Sequence, residues 1–202
     1  MVDFFVQGGG FMWPILIALL FGLAIIGERA YSLINSSSDT DQFFEEVKTI
    51  YSDSGKEQAI EFCENSPGPV ASIFYAGLSK MDKTKEEIEK AVQNAGGLEM
   101  AFLEKNMIWI NSVITIAPML GFTGTVVGMI KAFEDIKMAN DISPAVVAGG
   151  ISQALLTTAF GLIVAMIMQV AQNFFVSMID KLILDMEEQS IKIVEYLHSS
   201  KK

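Results

Sequence analysis

Thirty-eight consecutive residues, Ile142–Ile179, carry no Asp, Glu, Lys, Arg or His. Two shorter windows share the property: Phe4–Gly27, 24 residues, and Asn106–Ile130, 25 residues. A helix needs roughly 20 mostly apolar residues to cross a hydrocarbon core of about 30 Å. Each window is long enough, and in lipid a helix satisfies all its backbone groups within one segment. The chain is 51% hydrophobic, close to the share in soluble domains, so the distribution of charge decides rather than the total. Residues 28–105 and 180–202 are ordinary charged helical sequence. The expected fold is an all-α membrane protein with three transmembrane helices. Only Asp3 precedes the first window as a charge, and IIGERAYSL follows it without a small-residue cleavage pattern, so that window reads as an uncleaved span.

At 1.5 Å per residue the third window is about 57 Å long, well beyond one crossing. Its end, from Gln169, Gln172 and Asn173 onward, is expected to leave the membrane. There it would pack with a helix starting near residue 85. Two of the three helices are thus long and extend into a cytoplasmic helical bundle. Orientation follows from Lys and Arg. Residues 28–106 carry eight, the connection between the second and third windows carries Lys131 and Lys137, and the tail carries Lys181, Lys192, Lys201 and Lys202. The N-terminus, which has none, is therefore placed outside.

The region after the first window shows helical stripes and stops. Phe43, Phe44, Val47, Ile50 and Tyr51 form one apolar face. Ser54 with Glu57, and Thr84 with Glu87, have capping-box spacing. Pro67-Gly68-Pro69 breaks the chain. From Thr84 the helical pattern continues without proline to Pro118, so a helix from about residue 85 can run into the second span, with Gly96-Gly97 as its weak point.

Several function classes drop out. A net charge of −10 does not suit nucleic acid, which calls for basic patches. The single Cys63 makes no disulfide framework within one chain. His198 alone supplies neither a metal cluster nor a catalytic set. No GxxxxGK[ST] is present, and Gly8-Gly9-Gly10 precedes a span rather than joining a strand to a helix, so it reads as a flexible lead-in. No enzyme, cofactor or resident metal is expected.

The informative residues are polar groups inside the apolar windows. Asn111, Thr115, Pro118, Phe122, Thr125 and Met129 fall within an arc of about 80° on a helix. In the third window Gln153 and Thr157 share a face, with Thr158 roughly 140° round from Gln153. Spacing alone leaves two readings. Hydroxyls can bond their own i−4 carbonyl and serve tight packing, as the Gly124–Gly128 GxxxG suggests. Alternatively they line a path for ions or water. Gln153 favours the path, since a mid-membrane amide needs several partners. Pro118, Gly121, Gly124, Gly128 and Gly161 are read as helix-packing positions. None of the three spans holds a carboxylate in mid-membrane. Hydroxyls and amides do not titrate near pH 7, so any titrating group must come from elsewhere.

Two of these segments, APMLGFTGTVVGMIKAF (117–133) and GISQALLTTAFGLIVAMI (150–167), resemble the second and third spans of the MotA/TolQ/ExbB family. The three-span layout and the large region after the first span resemble the ExbB/TolQ branch, whereas the MotA branch has four spans. The resemblance covers essentially the whole chain. It implies a homo-oligomeric ring, a homopentamer in the bacterial inner membrane. The ring would enclose a dimer of single-span ExbD/TolR-type subunits whose aspartate supplies the titrating group. A TonB/TolA-type protein would be a further partner, alongside membrane lipids. The transported ion would be H⁺, with Na⁺ as the alternative. The family's ion-path threonines fall on Thr125 and Thr158, and Thr115, Gln153 and Thr157 join them as pore-lining candidates. Family members often have glutamate at Gln153 and proline at Ile167. Leu155–Thr158 looks like the matching run of sodium-driven flagellar stators, which makes Thr125, Thr157 and Thr158 candidate Na⁺ ligands. The layout implied is then 1–10 periplasmic, 11–33 transmembrane, 34–106 a cytoplasmic helical domain, 107–130 transmembrane, 131–144 a periplasmic connection, 145–168 transmembrane, and 169–202 a cytoplasmic helical tail.

Overall fold

A computed structural model describes residues 2–36, 39–139 and 144–199. Among them all regular structure is α-helical: α1 (Val2–Gln7), α2 (Met12–Ser36), α3 (Thr40–Ser54), α4 (Lys56–Asn65), α5 (Pro69–Ser79), α6 (Lys85–Leu103), α7 (Met107–Ala139) and α8 (Pro144–Ser199). Three stretches are long and apolar enough to cross a membrane: Met12–Ser36, Lys85–Met138 and Val147–Ser199. α7 runs to Ala139 and α8 starts at Pro144, a favourable first helical position. Residues 140–143 of the expected connection, and Lys201 and Lys202 of the tail, lie outside the described residues. The chain forms two compact units: residues 1–28 with 106–174, and residues 29–105 with 175–202.

The first unit contains the first two apolar windows and most of the third. α7 is helical through Pro118, although proline leaves one carbonyl of the preceding turn without its helical donor. Phe21 of α2 meets Trp109 of α7 edge to face, centroids 6.1 Å apart. Gly22 of α2 lies where a Cβ would be 2.5 Å from the sulfur of Met168 on α8. Met12, Ile15, Ile110, Val113, Ala117, Val164 and Met168 are buried.

The second unit is a helical bundle with an aromatic centre. Phe43 stacks on Phe62 at 5.5 Å and tilts against Phe74 at 5.6 Å. Phe44 meets Phe74 and Tyr196 edge to face. Val47, Ala59, Ile73, Leu78, Ile88, Val92, Ile193 and Leu197 complete the core. Cys63 is buried among these helices, and burial pushes its thiol up to about 12.

The expected stops are found with two corrections. Thr84 and Glu87 form a reciprocal capping box, Glu87 N–H to Thr84 Oγ1 at 3.3 Å and Thr84 N–H to Glu87 Oε2 at 3.1 Å. The Pro-Gly-Pro break separates α4 from α5, with Pro69 opening α5. Ser54, however, is the last residue of α3 and caps nothing: α4 starts after Gly55, whose φ of 90° makes the corner without a side-chain cap. The run from residue 85 breaks at Glu104–Asn106 rather than at Gly96-Gly97. A glycine inside a helix costs about 1 kcal/mol and is tolerated. Asn106 instead adopts φ 65°, a left-handed conformation that ends helices and suits asparagine. Its side-chain amide donates to Glu28 Oε2 at 3.2 Å. Arg29, only 1% exposed, donates its guanidinium to the last α6 carbonyls, Leu103 O at 3.2 Å and Phe102 O at 3.4 Å. Phe102 O also accepts from the Lys105 N–H at 3.2 Å, and a cation at a helix C-terminus complements its dipole.

Candidate functional site

α7 and α8 meet in an antiparallel seam made almost wholly of small residues. A Cβ built on Gly161 would lie 2.5 Å from the Ala117 carbonyl oxygen and 3.2 Å from Gly121 Cα. On Gly121 it would lie 3.0 Å from Thr158 Cα, and on Gly128 it would lie 3.1 Å from Ala154 Cβ. On Gly124 it would run into the Thr157 methyl, and on Gly150 into Ala132. The order is 117, 121, 124, 128, 132 on α7 against 161, 158, 157, 154, 150 on α8. Lipid supplies no hydrophobic drive between helices, so close backbone approach has to supply the contact energy.

A hydroxyl cluster sits in this seam. Thr125 and Thr158 hydrogen-bond to each other through their hydroxyls. Thr125 Oγ1 also lies 3.2 Å from both the Gly121 and Ala154 carbonyl oxygens, and Thr158 Oγ1 lies 3.1 Å from Gly121 O. Both threonines are half-buried. Two hydroxyls and two carbonyls thus place four oxygens together, with two protons that can be donated in alternative directions. Such a group can relay a hydrogen bond, and hard oxygens also suit an alkali cation.

The other candidates lie apart from this cluster. Thr157 is 1% exposed and donates within the chain, to Gly8 O at 3.1 Å or Gln153 O at 2.9 Å. Gln153 is half-buried and its amide rests on Gly9. Thr115 is exposed and donates to its own i−4 carbonyl, Asn111 O, at 3.1 Å. Of the stripe read from spacing on α7, Thr125 takes part in the hydroxyl cluster, while Thr115 and Phe122 are exposed. Pro118 is half-buried one residue from the seam position Ala117. Sequence reasoning missed the alanines of the seam, 117, 132 and 154, because alanine carries no chemical signal of its own. It also missed the Gly8-Gly9 turn, whose contacts with α8 join residues about 150 positions apart.

Residues 65–188, which include the whole described seam, match the MotA/TolQ/ExbB proton channel family. A Synechocystis protein named biopolymer transport protein ExbB-like 3 is 28% identical over 188 residues, spanning 92% of this chain and 90% of the relative. An ExbB homologue of Methanothermobacter thermautotrophicus is 28% identical over 180 residues, 89% of this chain and 64% of the relative. The Tol-Pal system protein TolQ of Pseudomonas aeruginosa is 28% identical over 125 residues, 55% of this chain and 54% of the relative. Three helices fit to cross a membrane, a glycine-alanine seam and a threonine pair within it therefore meet in a chain that belongs to the MotA/TolQ/ExbB proton channel family.

Proposed function

We propose that this chain is the ring-forming channel subunit of an inner-membrane motor of the ExbB–ExbD or TolQ–TolR type. It couples a proton gradient to mechanical work on the envelope, such as TonB-dependent transport. Its N-terminus and the 131–144 connection are periplasmic, and the second unit is cytoplasmic. Five copies surround a dimer of single-span partners, and an aspartate of the partner takes and releases the ion. The observation that carries this reading is the Thr125–Thr158 pair with the Gly121 and Ala154 carbonyls. It is a polar, non-titrating relay inside spans that have no carboxylate in mid-membrane.

The test is ion uptake into proteoliposomes holding the chain with its ExbD/TolR-type partner. Wild type and Thr158→Val are compared with and without Na⁺. Uptake that needs Thr158 and persists without Na⁺ supports a proton motor. Uptake that needs both makes the four oxygens a sodium site. A second reading has an observation of its own: each of the Thr125, Thr157 and Thr158 hydroxyls has a partner within the chain. That favours a non-conducting oligomeric scaffold, in which Thr158→Val loses assembly rather than flux.

A further inference from the structure

The glycine turn ahead of α2 touches both helices of the seam beside the threonine pair. Thr157 donates to the Gly8 carbonyl in a buried bond. Gly8 follows α1, where carbonyls run out of helical donors, so this buried bond gives the Gly8 carbonyl a donor. Gly9 has φ 75°, and a Cβ there would run into the Gln153 amide. Phe11 lies against α7: a Cβ on Gly124 would be 3.2 Å from Phe11 Cβ. Gly124 adjoins Thr125, and Thr157 adjoins Thr158. The turn is itself held in place. Phe5 meets Trp13 edge to face at 5.3 Å, Met12 is 1% exposed, and the Gly8, Gly9 and Met12 amides donate to Phe4, Val6 and Gly9 carbonyls.

A seam of glycines and alanines lets helices approach but offers few side chains to stop one rotating against the other. We propose that Gly8, Gly9 and Phe11 are a positioning element for the ion path. By binding Thr157 and seating Gln153, they fix the rotation of α8 so that the Thr158 hydroxyl stays on Thr125. This rests on Thr125 and Thr158 acting as ion-path groups. Gly8, Gly9 and Phe11 are positioning residues, since none of them joins the hydroxyl pair. The segment before the first span thereby becomes a control point for conduction.

The experiment uses the full chain with its ExbD/TolR-type partner and reads two quantities. One is ion uptake in proteoliposomes. The other is hydrogen exchange at the Gly8, Gly9 and Met12 amides. Losing a buried hydrogen bond corresponds to about a tenfold change in an equilibrium. Thr157→Val and Gly9→Val are expected to speed exchange at least about tenfold and slow uptake by a similar factor, with partner recovery unchanged. Thr157→Ser, which keeps the hydroxyl, should behave as wild type. So should Gly10→Ala, because nothing lies within 4 Å of a Cβ there. If Gly9→Val yields no complex, the Thr157→Val and Thr157→Ser pair decides. Faster exchange with undiminished uptake overturns the positioning role and leaves a merely structural contact. Unchanged exchange in Thr157→Val removes the contact itself. Thr158→Val conducting like wild type in an intact complex would instead overturn the ion-path reading on which the proposal stands, a result distinct from failure of the turn alone.

Discussion

The two units solve the same packing problem with opposite materials. In the first, helices touch through Gly121, Gly124, Gly128, Gly150 and Gly161, and hydroxyls bond to carbonyls across the gap. In the second, Phe43, Phe44, Phe62, Phe74 and Tyr196 fill the centre, and caps and ion pairs finish the helix ends. The difference is the one expected if the first unit packs in lipid and the second in water. Against water, large apolar side chains gain about 25 cal/mol for each Å² they bury. Against lipid that gain vanishes, and only close approach and polar bonds distinguish a neighbouring helix from an acyl chain.

Substitutions can break this contrast. The largest effect is expected at Phe74, which is fully buried between two rings. Phe74→Ala should cost about 3–5 kcal/mol, seen as a lowered melting temperature of the purified protein. Next comes the seam, where adding atoms should do the damage. Gly161→Val meets the α7 backbone at Ala117 and Gly121 and is expected to cost about 1–3 kcal/mol. Faster hydrogen exchange at the Gly121 and Thr158 amides would report the loosened pair. A same-sized cost from Gly161→Ser would show that volume matters more than polarity.

Smaller changes sharpen the contrast. Thr84→Ala removes one half of the capping box and should cost about 1 kcal/mol, visible in denaturant titration. Gly97→Ala tests whether glycine is needed outside the seam. A Cβ there meets nothing within 4 Å, so the helix should gain about 0.5–1 kcal/mol. Opposite signs for Gly97→Ala and Gly161→Val would separate propensity from packing within one chain.

The smallest effect is electrostatic. The hydrogen bond from Lys192, with a second from Gln189, holds the Asp41 carboxyl below its usual range. A depressed carboxylate contributes stability above its unfolded value, and the contribution is lost as pH falls through the folded value. Lys192 is raised by Asp41 and then Glu188. Its contribution is present below its unfolded value and lost as pH rises through the folded one. Stability from the pair should therefore be flat at neutral pH and fall at both ends. Asp41→Asn should flatten the acid arm in a melting series over pH. The groups are solvent-exposed, so the change should be slight.

Much of the architecture is legible in the sequence because it is local. Charge-free windows mark the three spans, Thr84–Glu87 marks a helix start, and Pro67-Gly68-Pro69 marks a stop. What is not legible depends on partners distant in sequence. Ser54 carries a capping pattern, yet the corner is made by Gly55 because the chain turns there in a left-handed conformation. Arg29 looks like a charge at a span end, but its guanidinium closes α6 from more than 70 residues away in the chain. For the site, polar residues in the apolar windows give several candidates, and the family resemblance singles out Thr125 and Thr158 among them. Helical spacing does not reveal that they face each other, because that is set by which small residues let α7 and α8 meet.

Cys63 has a practical consequence. It is the chain's single cysteine, and burial holds its thiol near 12. A buried thiol with a raised pKa offers little thiolate to react at pH 8. The protein is therefore nearly silent to thiol reagents as it stands. A spin label or fluorophore placed on the glycine turn or on α8 could be read alone, with the natural residue at 63 left untouched.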